Sequence, residues 1–164
     1  MSSLLLMMAF MLPPQLSDQA FYPGGSYNPN IPSPEEELGY GIGERFTLYS
    51  NLESYYETLA NASDRMQMIP YGKTYEDRTL YTLIFSTPSN LERVNEIQDS
   101  ISRLRDPRMT SETEATEIAE TTPAIAWLAY NVHGNEAASS EAALRVAFQL
   151  AAGTDTLTLD LLTN

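Results

Sequence analysis

A chain of 164 residues with 43% hydrophobic content is long enough to fold as one domain around a real core. Nine Lys and Arg stand against 22 Asp and Glu, a net charge of −13, which repels a nucleic-acid backbone and an anionic membrane surface alike. With Cys 0, neither a disulfide framework nor a thiolate metal site can form, so any metal falls to His, Asp or Glu.

Residues 1–20 carry a short apolar run, Ser3 to Leu12, closed by Pro13 and Pro14. It has the length of the apolar stretch in an export signal but lacks a preceding Lys or Arg, so a secreted or periplasmic start and a disordered start both fit. No stretch of the sequence approaches the roughly 20 apolar residues that cross a bilayer. Residues 21–46 shift to Pro, Gly, Asn and Tyr and include the acidic run Glu35-Glu36-Glu37, which predicts an extended lead-in whose tyrosines tack it to the domain surface. The folded part is expected over residues 47–164.

Ser50 precedes Glu53 at capping-box spacing, and Leu52, Tyr55, Tyr56 and Leu59 recur at helical intervals, predicting a helix over about Leu52 to Ala60. Met66 to Lys73 and Thr79 to Ser86 predict a strand, a turn and a strand, with Pro70 marking the first as edge or bulged. Ser89 and Glu92 repeat the capping spacing, and Leu91, Val94, Ile97, Ile101 and Leu104 form one helical stripe that ends at Asp106-Pro107. Met109 to Thr122, rich in Glu, is expected to be a solvated loop or frayed helix. Pro123 to Val132 is nearly continuous apolar sequence of strand length, the pattern of a strand covered on both faces. Ala137 to Ala152 then predicts a helix with Gly153 as its stop, and Thr154 to Asn164 trails on with leucines that want burial.

The single histidine, His133, falls where the apolar run ends, and Glu136 follows as the helix begins. Ligand sites in α/β sheets open at the carboxyl ends of strands, and an imidazole and a carboxylate brought to one side of a turn can share a zinc ion. Gly134 is expected to shape that turn. The bland reading is a surface pair in which Glu136 favours the helix dipole. Asn61-Ala62-Ser63 fits a glycosylation sequon, Ser139 and Ser140 read as helix-start residues, and Arg145 reads as a solvated surface charge.

Asn131-Val132-His133-Gly134-Asn135-Glu136 resembles the first metal-binding motif of the zinc carboxypeptidase family. Ile69-Pro70-Tyr71-Gly72-Lys73-Thr74-Tyr75-Glu76-Asp77-Arg78-Thr79-Leu80 is similar to the family's turn between its first two strands, with Asp77 where glycine is usual, and the helix carrying Tyr55-Tyr56 matches the opening helix. The resemblance implies an α/β fold, here a partial mixed β-sheet flanked by helices, and a metallocarboxypeptidase that uses Zn2+ to cut C-terminal peptide bonds. It implies His133 and Glu136 as metal ligands and the C-termini of peptides or proteins as substrate.

The family's third ligand and its general base would lie further along than the 28 residues after Glu136, so the chain alone is expected to be inactive. Two alternatives stand beside this. One is a zinc amidohydrolase of the aspartoacylase or desuccinylase type, which opens its site with the same four residues. The other is a non-catalytic remnant acting as a binding module through an exposed sheet edge.

Overall fold

A computed structural model describes residues 23–163. The expected export signal lies outside the described residues, as does Tyr22. Among them the order is α1 (Pro34–Leu38), α2 (Tyr49–Ala62), β1 (Met66–Lys73), β2 (Thr79–Phe85), α3 (Pro88–Glu92), α4 (Val94–Leu104), α5 (Glu112–Thr121), α6 (Ala137–Ala152) and α7 (Thr156–Thr163). The class is α/β, helices around an antiparallel β1–β2 hairpin. No helix of the described residues is long and apolar enough to cross a membrane.

The core lies between α2 and α6. Leu52, Tyr55 and Leu59 project from one stripe of α2, and Leu144, Ala147, Phe148 and Ala151 from one stripe of α6. Each large side chain enclosed here contributes about 1.5–3 kcal/mol relative to exposure. α2 starts three residues before the predicted start; its N-cap is Leu48, without a side-chain cap bond, and Ser50 lies inside the helix, so the expected Ser50–Glu53 box does not form. The Glu53 carboxylate instead accepts from the Tyr49 hydroxyl, at 3.1 Å.

The hairpin follows the prediction closely. Met66 pairs with Phe85 and Lys73 with Thr79, and the register slips between Pro70 and Gly72, where proline has no N–H to offer the ladder. The connecting turn closes through Thr74 N–H to Arg78 O at 2.8 Å, and Asp77 takes a left-handed φ of 61°.

Several segments differ from expectation. The predicted Ser89–Arg105 helix is two helices broken at Arg93 (φ −111°, ψ 23°), and the first is capped by Thr87, whose side chain takes the Asn90 amide. Of the two forms expected for the Glu-rich stretch, loop or frayed helix, it takes the helical one and without fraying at its start: it folds as α5, because Ser111 and Glu114 complete a capping box and Arg103 of α4 pairs with Glu114 at 2.8 Å. The trailing C-terminal leucines lie on α7, which buries Leu162 but leaves Leu157 and Leu161 exposed.

The lead-in is folded rather than extended. Ser33 and Glu36 cap α1 reciprocally, Ile31 enters the core, and the Tyr27 ring sits 4.6 Å from that of Phe148. Backbone bonds from Asn28 N–H to Ala152 O (2.8 Å) and Thr154 N–H to Ser26 O (2.7 Å) stitch it to the end of α6.

Candidate metal centre

The apolar run before the candidate site is not a covered strand. Among the described residues the sheet is β1 and β2 alone, and residues 123–132 have no helix or strand assignment. Trp127 is 74% exposed and Val132 78%, with Ile125 and Leu128 also open. Apolar composition makes a strand only where a neighbouring strand supplies the ladder, and neither β1 nor β2 pairs with this segment. Its tether is at its end. Tyr130 lies near Tyr56, whose phenol pKa is pushed up by burial and then by Tyr130, and the Asn131 side-chain amide donates to Ser140 Oγ at 2.6 Å.

From that tether the chain turns into α6. Asn131 has a left-handed φ of 55°, Glu136 N–H donates to His133 O at 3.0 Å, and Ser139 N–H donates to Glu136 O at 3.1 Å. These contacts bring the His133 Nδ1 and the Glu136 Oε1 to 3.0 Å, with the two side chains 69% and 61% exposed. Glu136 is the N-cap of α6, yet its side chain makes no cap hydrogen bond. Its carboxylate is therefore directed to the imidazole rather than spent on the helix.

Gly134 lies inside that turn, but glycine is not required there. Its φ lies outside the left-handed region and an added Cβ would meet nothing within 4 Å. The residue that carries the unusual backbone is Asn131, which sequence reasoning passed over. Asparagine is, after glycine, the residue that tolerates this conformation best, and Ser140, read as a helix-start residue, is its acceptor.

Two ligands of a tetrahedral zinc ion, each about 2.1 Å from it, stand about 3.4 Å apart. The 3.0 Å between Nδ1 and Oε1 is that of a direct hydrogen bond, so sharing a zinc ion would require the two atoms to part by a few tenths of an ångström. No group of three or more His, Asp or Glu that could hold a metal ion occurs among the described residues. A surface hollow of about 300 Å³ is lined by Glu57, Ala60, Asn61, Met68 and Tyr81, and includes neither member of the pair.

Arg145 is not a solvated charge. Its guanidinium lies 2.5 Å from Glu35 Oε1, the two side chains being 23% and 10% exposed. Both Glu35 oxygens are buried without an aligned hydrogen bond, so the attraction is coulombic rather than directional. In the sequon, Asn61 is exposed at the end of α2, while the Ser63 hydroxyl is buried and donates to Ala151 O at 2.8 Å.

The zinc carboxypeptidase family model matches residues 52–164, well over half of the sequence. The chain belongs to the zinc carboxypeptidase family. No curated protein and no solved structure gives a significant match. The match to this zinc carboxypeptidase sequence takes in α2 from Leu52 onward, the hairpin turn containing Asp77, and the His133–Glu136 turn. Membership carries with it a family chemistry of zinc-dependent peptide hydrolysis.

Proposed function

We propose that this chain provides two ligands of a zinc-dependent metallocarboxypeptidase site, His133 through Nδ1 and Glu136 through its carboxylate. The observation that carries the reading is their convergence at 3.0 Å, with the glutamate free of any helix-cap bond. When bound, Zn2+ polarises a peptide carbonyl and activates water for attack on a C-terminal peptide bond. The chain's own part is to present the imidazole and carboxylate on one side of an open turn, where a peptide can approach. Family membership supports peptides as the substrate class, and the reading adds that their C-termini are the point of attack.

Hydrolysis needs more than this chain presents among its described residues. A hydrolytic zinc site uses three protein ligands and an open position, and His133 is the only histidine in the sequence. Arg145, the one arginine beyond the pair, is engaged by Glu35 and does not offer its charge to a substrate carboxylate. The chain alone should hold zinc weakly and show no carboxypeptidase activity.

A second reading, a non-catalytic remnant that binds a partner, is favoured by the open apolar segment around Trp127. The aspartoacylase-type amidohydrolase is disfavoured by the Tyr75–Arg78 turn, where Asp77 adopts the left-handed φ that suits the family's usual glycine.

Zinc calorimetry on the full chain separates the readings. Zn2+ should bind wild type at least about ten-fold more tightly than His133→Ala or Glu136→Gln. Equal affinity in all three would remove the metal site and leave the remnant.

A further inference from the structure

We propose that Asn131 is a positioning residue for the His133–Glu136 pair, acting through its left-handed backbone and its side-chain bond to Ser140. The consequence for zinc rests on the metal reading above; the geometry does not.

His133 and Glu136 are both exposed, so packing does little to fix where their side chains point. What fixes them is the backbone that presents them, and that backbone is fastened on both sides. On the helix side, Ser140 is 8% exposed within α6, whose core face holds Leu144 and Phe148. On the approach side Val132 is exposed, and inside the turn Gly134 has open space around it, so neither anchors the chain. Asn131 is the residue that joins the two sides.

Its φ of 55° reverses the chain into the turn, and its Nδ2 reaches across to Ser140 Oγ at 2.6 Å. Ser140 stands in the first turn of α6, four residues after the N-cap Glu136, so this bond ties the chain before His133 to the helix that begins just after Glu136. Inside the loop, the Glu136 N–H to His133 O and Ser139 N–H to Glu136 O bonds hold the two ligands in register. Outer partners of this kind tune affinity by orienting the groups that touch the metal.

The test uses the full chain and two readouts: hydrogen-exchange protection of the Glu136 and Ser139 amides with chelator present, and the Zn2+ dissociation constant. Ser140→Ala removes the acceptor while placing a good helix former in α6, so the fold should survive it. Asn131→Gly keeps the backbone conformation and loses the amide; Asn131→Ala loses both. Ser140→Ala and Asn131→Gly should each speed exchange of both amides and weaken zinc about ten-fold. Asn131→Ala should be worse than either, and the Asn131→Gly/Ser140→Ala double variant no worse than its parents, because both remove one bond. Wild-type exchange in Asn131→Ala and Ser140→Ala would overturn the proposal. If wild type and His133→Ala bind zinc equally, the metal reading falls, and amide exchange alone then upholds or overturns the role of Asn131.

Discussion

Asp77 and Asn131 hold the only left-handed backbones among the described non-glycine residues, at φ 61° and 55°, and each sits in a turn that the zinc carboxypeptidase resemblance picks out. At Asp77 the resemblance expects glycine, and the conformation explains why: a β-carbon there costs free energy that glycine does not incur. Asp77→Gly should nonetheless change stability by less than about 0.5 kcal/mol, since the strain relieved is offset by the larger chain entropy glycine loses on folding. The exposed Lys73–Asp77 pair, at 3.8 Å, adds little to either side. Asp77→Val should cost about 1–2 kcal/mol, because a branched side chain crowds the following carbonyl; urea unfolding of the three proteins checks both figures. His133 and Glu136 were legible because covalent spacing across a short turn forces them near each other whatever the tertiary structure. Asn131 was not, because its role depends on a backbone angle and a partner nine residues away, and the eye goes to Gly134 instead.

Among the elements, α6 was read from sequence almost residue for residue, since an Ala-rich periodic stretch bounded by Gly153 carries its helix information locally. What the sequence hid was the reason for the glycine. Gly153 has a φ of −60°, which any residue adopts, so conformation is not the constraint. A Cβ there would lie 2.5 Å from the Gln149 carbonyl oxygen and 2.8 Å from Thr158 Cγ2, and the carbonyl belongs to a helix that cannot easily give way. Gly153→Ala should therefore lower stability by about 1–3 kcal/mol, the range for overpacking, with a matching fall in Tm on thermal unfolding. The same close approach lets the Arg65 guanidinium reach Gly153 O at 2.6 Å and lets Tyr27 bridge to Gly153, so the lead-in should loosen with it. Elements that were misread fall into two kinds. Ser33–Glu36 and Ser111–Glu114 are capping boxes that the spacing rule finds, but Pro-rich or Glu-rich surroundings obscured them. Residues 123–132 are different in kind: a strand is a relation between two segments, and no local pattern reports whether the partner is there.

For the molecule as a whole, the open segment and the acidic surface make a pair of opposed tendencies. Trp127, Ile125, Leu128 and Val132 together expose apolar surface of the sort that marks interaction sites, while a net charge of −13 pushes copies of the chain apart. Because the sequence has a single tryptophan, its fluorescence reports this segment and nothing else. With Trp127 at 74% exposure, emission should be that of a water-exposed indole and acrylamide should quench it nearly as well as free tryptophan. Acrylamide is the right quencher because it is neutral; iodide would be held off by the chain's own charge and would mimic burial. Raising salt shortens the Debye length from about 10 Å at 0.1 M to about 3 Å at 1 M, which removes the repulsion and leaves apolar attraction. Emission should then move to the blue in step with a rise in sedimentation coefficient, and Trp127→Phe should keep the sedimentation change while losing the optical signal. A blue, shielded emission at low salt and low protein concentration would mean that residues 124–132 are covered in the isolated chain, and the turn bearing His133 and Glu136 would then be approached from a closed face rather than from open solvent.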